Sequence, residues 1–363
     1  PDGSGRIAVT MQIDEDRLKL TKDTRAELFS ADLFSRAVRI DLGTSNTLVY
    51  VKSKGIVVSE PTIVVVESSN ERKVRAVGDD AKIMLGRTTE GVMAVRPMRE
   101  GVITDFDMTQ ILLQYFTRKA VGSSYLVKPR LFLTYPCSIS GIERRAVMEA
   151  AKYSGGRKVY LVEKPFAAAL GSGLPVFDPS GCMIVDIGGG TTDVSVISLG
   201  GVVISHSIRV GGVKMDEAII NFIKREFNIL IGDRTAEEVK LDLGAALPIR
   251  EERRARIRGR DMVTNLPQTT EITSTQIYQA IHEPCSAILS AIKWVLERTP
   301  PELAADVMHN GIYITGGGSL LYGMDQMIAS ELGIPVLLAK ESMDCAALGL
   351  GNIIENFDLL QHL

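Results

Sequence analysis

Two short segments of the sequence each place an aspartate immediately before a turn of small residues. They are Asp41-Leu42-Gly43-Thr44-Ser45-Asn46 and Asp186-Ile187-Gly188-Gly189-Gly190-Thr191-Thr192. Residues without a bulky Cβ group let successive backbone N–H groups approach an anion closely, so such a turn forms a nest for phosphate oxygens. The hydroxyl groups of the threonines and of Ser45 add side-chain donors. The two segments therefore predict phosphate-binding turns.

The same two segments reveal an internal repeat. Alignment of Asp41 with Asp186 superimposes strand, turn and strand at an offset of 145 residues, the difference between the two positions. A repeat of this kind predicts two related halves. Two such turns facing one another would grip a polyphosphate from both sides, with the two aspartates placed to hold Mg²⁺ through its waters. We therefore predict a site for a nucleoside triphosphate, most simply ATP with magnesium.

A third glycine-rich turn extends this site. Thr315 is followed by Gly316, Gly317 and Gly318, after a strand-like segment and before a helix-like one. Backbone at such a turn can approach a flat ligand or its sugar closely. In combination with the two hairpins, it predicts the nucleoside end of the same site.

The elements around these turns predict α/β domains. β-Branched residues flank the first two turns, which is typical of strands. Helical periodicity follows in four windows, at residues 109–120, 142–153, 216–227 and 275–297. Strands mixed with helices favour an α/β architecture, and 363 residues suffice for two domains with separate cores.

Composition excludes several other classes of function. The formal net charge is -3, so no overall positive field attracts nucleic acid, and the basic run at residues 250–260 is expected to be a solvated loop or hairpin. The four cysteines form no C-x-x-C pair, which argues against zinc or a disulfide framework and favours a reducing cytosol. No apolar run is long enough to span a bilayer. Residues 1–32 are predicted to be an appendage, either a flexible tail or a short amphipathic helix at a membrane.

The order of hairpin, hairpin and Thr-Gly-Gly-Gly turn resembles the actin, Hsp70 and sugar-kinase superfamily. More specifically, IDLGTSNTLVYVKSKGIVVSEP, DIGGGTTDVSVISLGGVV and YITGGGSLLYGMD are similar to segments of the MreB/Mbl family of bacterial actins. The resemblance runs from about residue 34 to 363. It implies a duplicated actin-like, ribonuclease H-like α/β fold, with two domains in four subdomains around a nucleotide cleft.

The resemblance also implies a function. Members of this family bind ATP, polymerise with copies of themselves, and lie in the cytoplasm at the inner face of the cell membrane, where they help determine cell shape by guiding the cell-wall elongation machinery. Carried over by position, Glu237 and Lys240 contact the nucleoside, and their i, i+3 spacing places both on one helical face. Tyr125 and Leu126 occupy the place of a membrane-contacting loop, with an ordinary loop as the alternative.

The expected domain boundaries follow from the same resemblance. Domain I is predicted over residues 33–177 and 345–363, with an inserted subdomain at about 65–106. Domain II is predicted over residues 178–344, with an inserted subdomain at about 213–275.

One departure from the family pattern affects the expected chemistry. The family usually has Glu-Glu-Pro before the second hairpin, and its second glutamate orients the water that attacks the γ-phosphate, whereas this chain reads Glu163-Lys164-Pro165. A cation cannot take a proton from water as a carboxylate can. Glu163 could substitute through a shifted turn, hydrolysis could be slow, or Lys164 could pair with phosphate and prolong the ATP state. We expect slow hydrolysis, with Thr191 still present to help hold the water.

A second departure and three alternatives remain open. Val213 stands where the family commonly has aspartate.

A small-molecule kinase of the same superfamily would need a catalytic carboxylate in a substrate pocket, for which we see no motif. An Hsp70-like chaperone would need a peptide-binding β-domain, for which we also see no segment. An ATP-gated scaffold that does not hydrolyse ATP is compatible with Lys164.

Overall fold

The computed structural model describes residues 37–52, 54–68, 72–86, 91–122 and 128–355. The predicted appendage at residues 1–32 and the predicted membrane contacts Tyr125 and Leu126 lie outside these ranges. The strands are β1 (Ala37–Leu42), β2 (Asn46–Val51), β3 (Gly55–Pro61), β4 (Val64–Glu67), β5 (Val74–Val77), β6 (Val92–Val95), β7 (Met98–Arg99), β8 (Val102–Ile103), β9 (Arg130–Tyr135), β10 (Lys158–Glu163), β11 (Cys182–Ile187), β12 (Thr192–Ser198), β13 (Gly201–Ile208), β14 (Ile229–Leu230), β15 (Arg254–Asp261), β16 (Pro267–Thr273), β17 (Ile312–Thr315) and β18 (Val336–Leu338). The helices are α1 (Asp79–Met84), α2 (Phe106–Val121), α3 (Gly141–Tyr153), α4 (Lys164–Gly171), α5 (Gly212–Phe227), α6 (Asp233–Leu243), α7 (Ser274–Arg298), α8 (Pro301–Asn310), α9 (Met324–Leu332) and α10 (Cys345–Glu355). The four predicted helical windows fall in α2, α3, α5 and α7.

Two five-stranded sheets share one topology. The first has the order β10-β9-β1-β2-β3 and the second, read in the same direction, β18-β17-β11-β12-β13. In both, the first two strands of the repeat are antiparallel, β1 with β2 and β11 with β12. A later strand then pairs in parallel with the first, β9 with β1 and β17 with β11. Asp41 lies opposite Leu48 and Asp186 opposite Asp193, so the pairing register is also repeated. The predicted duplication is confirmed.

The central strands of both sheets are buried because helices cover their faces. All six residues of β11 are buried, and in β1 only the first residue is half-buried, as expected for strands covered on both faces. One large apolar core lies in the second half, where α5, α6 and α7 contribute buried isoleucine and valine side chains. A separate core in the first half is formed around β1 and α2.

Helices α4 and α10 meet at very short range. A Cβ on Gly171 would overlap the Cys345 carbonyl oxygen, and one on Gly349 would overlap that of Ala167. Only glycine permits such backbone contact. Helix α10 also packs against β1 and β2, so this late segment of the chain returns to the first sheet.

Two small sheets extend beyond the five-stranded ones. Strands β5-β4-β6 form one and β14-β15-β16 the other, and they lie near the two predicted insertions, whose boundaries stay a prediction.

The basic run is part of the β15–β16 hairpin, where every second residue from Arg254 to Arg260 is exposed. This confirms the expectation of a solvated hairpin. Among the described residues, no helix is both long enough and apolar enough to cross a bilayer.

Candidate functional site

A cavity of about 520 Å³ lies between the two halves of the chain. This volume is in the usual range for small-molecule sites. It is lined by most of the predicted site residues, namely Asp41, Gly43, Thr44, Ser45, Asn46, Lys164, Asp186, Gly188, Gly189, Gly190, Thr191, Glu237, Lys240, Gly316, Gly317 and Gly318. A larger groove of about 670 Å³ between α5 and α7 contains none of the predicted site residues.

The two glycine-containing turns are closed by equivalent hydrogen bonds. In the first, the N–H of Gly43 donates to the carbonyl of Asn46 at 3.1 Å, and in the second the N–H of Gly188 donates to that of Thr191 at 2.9 Å. These residues are related by the same offset as the two aspartates. The repeat therefore extends to the backbone conformation of the turns.

Helix α5 orients the peptides of the second turn. The N–H groups of Gly212 and Val213, in its first turn, donate to the carbonyl oxygens of Gly188 and Gly189 at 3.0 and 2.8 Å. In a trans peptide the carbonyl of one residue points opposite to the N–H of the next. The N–H groups of Gly189 and Gly190 therefore point away from α5, which leaves them available to an anion in the cavity. The positive end of the α5 dipole adds to this preference.

The tips of the two turns face one another. A Cβ placed on Gly189 would overlap the Ser45 hydroxyl oxygen and lie 2.8 Å from Ser45 Cβ. One placed on Gly190 would overlap the Thr44 hydroxyl oxygen and lie 2.7 Å from Thr44 Cβ. The absence of side chains at these glycines is thus what permits the approach of the two halves.

Two buried aspartates end the central strands at the cavity. The hydroxyl of Thr134, on β9, donates to Asp41 Oδ1 at 2.5 Å. Asp186 lies beside the third turn, where a Cβ on Gly316 would overlap its Oδ1. Gly316 has a φ of 82°, a conformation that favours glycine. Parallel pairing of β11 with β17 brings these strand ends to the same edge of the sheet.

Lys164 extends into this group of carboxylates. Its ammonium nitrogen lies 3.1 Å from Asp186 Oδ2, and its side chain is only 14% exposed. Burial alone would lower the pKa of Lys164, but the carboxylates of Asp186, Asp41 and Asp193 outweigh that effect and raise it. The ammonium is therefore charged at neutral pH and is the counter-ion of Asp186.

A divalent cation fits these carboxylates only in part. Asp41 and Asp186 both line the cavity, and carboxylate oxygens suit Mg²⁺ or its bound waters. However, the Lys164 ammonium already faces Asp186 Oδ2, so a second cation at that carboxylate would lie close to a fixed positive charge. Among the described residues, no group of three or more His, Cys, Asp or Glu side chains is arranged to hold a metal directly.

Glu163 and Thr191 have different surroundings. Glu163 Oε1 accepts a hydrogen bond from the Tyr135 hydroxyl at 3.4 Å, and Glu163 is not among the cavity-lining residues. The Thr191 hydroxyl donates to Asp193 Oδ2 at 3.1 Å, while the Cys137 N–H donates to Oδ1 of the same carboxylate. Burial and the nearby Asp186 raise the pKa of Asp193. Glu163 therefore lies outside the cavity lining, whereas Thr191 lies within it.

The hydroxyl of Thr192, a predicted phosphate contact, does not face the cavity. Its hydroxyl is fully buried and donates to the Val210 carbonyl at 2.8 Å. Thr192 is the first residue of β12, and successive strand residues face opposite sides, so it turns away from the cavity that Thr191 lines.

The predicted nucleoside end is built from α6 and the third turn. The Lys240 ammonium donates to the Gly212 carbonyl at 3.0 Å and lies 2.8 Å from Asp216 Oδ1. Glu237, also on α6, lies 3.8 Å from Lys82 of α1 across the cavity. The N–H of Ala246 donates to the carbonyl of Tyr322, which joins the end of α6 to the loop after the third turn. The apolar side chains at the cavity are Leu42, Leu48, Pro136, Met215, Leu241, Leu320, Leu321, Tyr322, Met343 and Ala346.

Three residues of the site were not predicted. Thr134 holds Asp41, Asp193 accepts the Thr191 hydroxyl, and Asp216 pairs with Lys240. The sequence contained one usable signal, because Asp193 follows the second glycine turn in the repeated hairpin. Thr134 and Asp216 become site residues only through packing between distant segments.

Comparisons with known proteins agree with this geometry. A family model described as MreB/Mbl protein matches residues 35–362. Cell shape-determining protein Mbl of Bacillus cereus is 48% identical over 328 residues, which cover 90% of this chain and 98% of that protein. Cell shape-determining protein MreB of Escherichia coli is 45% identical over 331 residues, covering 90% and 95%. The crystal structure of MreB 5 of Spiroplasma citri bound to AMPPNP superimposes with a TM-score of 0.85 at 34% identity, covering 91% and 99%. The chain therefore belongs to the MreB/Mbl family of bacterial actins and has an actin-like fold.

Proposed function

We propose that this protein binds ATP between its two halves, polymerises into filaments at the inner face of the cytoplasmic membrane, and helps determine cell shape by organising cell-wall elongation. The observation that carries the proposal is the pair of equivalent glycine turns, which face one another across a single cavity. Binding of one ligand by both turns ties the two halves together. Nucleotide occupancy can therefore control the shape that a filament contact requires.

ATP is the proposed ligand because the cavity combines a phosphate end and an apolar end. Backbone N–H groups of Gly189 and Gly190 and the Lys164 ammonium serve the polyphosphate, whereas α6 and the third turn serve the nucleoside. The related Spiroplasma citri protein binds AMPPNP. Magnesium enters the proposal in a limited form, through Asp41 and the phosphates, since Asp186 is paired with Lys164.

Slow hydrolysis is proposed from the same lysine. An ammonium group paired with Asp186 cannot accept a proton from an attacking water, and Glu163 lies outside the cavity lining. The second candidate, an ATP-gated scaffold without hydrolysis, is favoured by the same contact. The two candidates differ only in whether phosphate is released in filaments.

The decisive experiment measures ATP-dependent pelleting and phosphate release in parallel, for the wild type and for Lys164→Glu. We expect the wild type to pellet with ATP and release little phosphate, and Lys164→Glu to release phosphate at least about 100-fold faster, the lower end for a positioned general base. Lys158→Glu makes the same charge change at an exposed strand position and should leave both measurements unchanged. Brisk phosphate release by the wild type would refute slow hydrolysis. Absence of ATP-dependent pelleting would refute the filament proposal.

Membrane contact is tested by sedimentation with anionic lipid vesicles. The proposed contact residues Tyr125 and Leu126 are replaced together by serine, and Ile142→Ser, at an exposed position on α3, serves as the control. Binding that survives the double substitution would move the membrane contact elsewhere. Turnover of small phosphate acceptors in the same preparations would instead favour a kinase.

A further inference from the structure

The ammonium group of Lys164 lies beside residues that are distant from it in the sequence. It begins α4, yet its side chain leaves the helix and reaches the end of β11, where the ammonium lies 3.1 Å from Asp186 Oδ2. It also approaches the second glycine turn, since a Cβ on Gly188 would lie 3.5 Å from the ammonium nitrogen. The positive charge is therefore fixed between a buried carboxylate and a phosphate-binding turn.

The surrounding carboxylates require a cation. Asp41, Asp186 and Asp193 are all nearly or fully buried, and a buried carboxylate without a partner is strongly unfavourable. Asp41 accepts from Thr134, and Asp193 accepts from Thr191 and Cys137. Asp186 Oδ2 has no aligned hydrogen-bond donor among the described residues, so its compensation comes from the charge of Lys164.

We propose that the Lys164 ammonium does the electrostatic work of a divalent cation at Asp186, so that this protein binds the triphosphate of ATP with little dependence on Mg²⁺. Lysine is an effective phosphate partner because its ammonium is a compact point charge with three donors. A divalent cation against the same carboxylate would repel this ammonium at close range, and in a buried site that repulsion is poorly screened. The proposal rests on the proposed nucleotide binding and specifies how the phosphate charge is balanced.

The experiment is a titration of the full chain with ATP, below the concentration for assembly, in excess Mg²⁺ and again in excess EDTA. For the wild type we expect the two dissociation constants to agree within about threefold, a difference well below one charge-assisted hydrogen bond. For Lys164→Gln we expect chelation to weaken binding by at least about tenfold, because the neutral amide leaves the phosphates and Asp186 without a cation. Lys164→Arg keeps the charge and should remain insensitive to EDTA.

Asp186→Asn provides a second variant, which removes one carboxylate and leaves Asp41 and Asp193 as the remaining carboxylates that act on the Lys164 ammonium. It frees the ammonium from its partner, so ATP affinity in EDTA should be retained or increased. A tenfold loss of ATP affinity in this variant in excess Mg²⁺, with no loss in excess EDTA, would show that Asp186 holds a required divalent cation, and would overturn the proposal.

The remaining outcomes are also decisive. A wild type that loses ATP affinity by more than tenfold on chelation overturns the proposal, as does a Lys164→Gln variant that is as insensitive to EDTA as the wild type. Failure of the wild type to bind ATP in either condition would refute nucleotide binding itself. If Lys164→Gln does not fold, the wild-type ratio and Asp186→Asn decide the result.

Discussion

Gly189→Ala tests the contact between the two halves most directly. The added Cβ would overlap the Ser45 hydroxyl oxygen and lie 2.8 Å from Ser45 Cβ and 3.4 Å from Ser45 N. Gly189 does not have a positive φ, so alanine introduces a steric effect without backbone strain. The two turns must separate, and the N–H groups of both can then no longer converge on one polyphosphate.

The expected magnitude follows from the cost of overpacking. One additional carbon in a closely packed contact costs about 1–3 kcal/mol. If the cost falls on the ATP-binding arrangement, the dissociation constant for ATP rises by about 5- to 150-fold. Ser45→Gly removes the two closest atoms and leaves only the contact with Ser45 N, at an ordinary van der Waals distance. The double variant should therefore recover most of the lost affinity.

The assay is an ATP titration of the four proteins of this double-mutant cycle, with thermal unfolding to confirm folding. Gly141→Ala, at an open position in the first turn of α3, is the matched control and should bind ATP normally. Equal affinity of Gly189→Ala and the wild type would refute the facing turns. A loss that Ser45→Gly fails to relieve would place the clash somewhere other than Ser45.

Two further predictions concern other parts of the molecule. Val263 is 80% exposed and Leu266 64% exposed at the tip of the β15–β16 hairpin, and we expect this apolar tip to be a filament contact. Joint replacement of the two residues by aspartate should therefore abolish ATP-dependent pelleting without changing ATP affinity. Normal pelleting of the double variant would exclude this tip as a filament contact. Burial raises the pKa of Asp216 to about 6 despite its ion pair with Lys240. The folded-state pKa of Asp216 exceeds its unfolded-state value, which is near 4. The protonated Asp216 carboxyl therefore contributes its full stabilisation below about pH 4, and this stabilisation is lost as the pH rises through about 6. The unfolding free energy of the wild type relative to Asp216→Asn should therefore fall between about pH 4 and 6 in chemical denaturation, and a pH-independent difference would contradict the assigned pKa.

Features carried by the repeat could be predicted from the sequence. The offset between Asp41 and Asp186 fixed which strands correspond, and the pairing of β1 with β2 and of β11 with β12 repeats that offset. The glycine turns were identifiable because two of them follow an aspartate at the same offset, whereas a single run of glycines is most often an ordinary tight turn. The long helices were identifiable from their apolar period. These signals lie within short segments of the sequence, and the occurrence of the hairpin pattern in both halves supports its interpretation in each.

Features that depend on distant segments could not be predicted in the same way. The partner of Asp41 is Thr134, 93 residues further along the chain, and that of Lys240 is Asp216, on another helix. Thr192 was assigned to the phosphates because its residue type suited them, but strand alternation turned it to Val210. Lys164 was recognised as a departure from the family pattern, whereas its pairing with Asp186 required the packing of α4 against β11.

The Lys164–Asp186 contact links two properties that are separable in principle. Replacement of a carboxylate by an ammonium removes a group able to orient water and, at the same position, adds a charge able to balance phosphate. If both effects come from this one side chain, slow hydrolysis and metal-insensitive binding must change together in Lys164→Glu, which should gain phosphate release and a requirement for Mg²⁺. A gain of only one would show that the other has a different origin, such as the Thr191–Asp193 hydrogen bond for hydrolysis or the amides of Gly189 and Gly190 for phosphate binding.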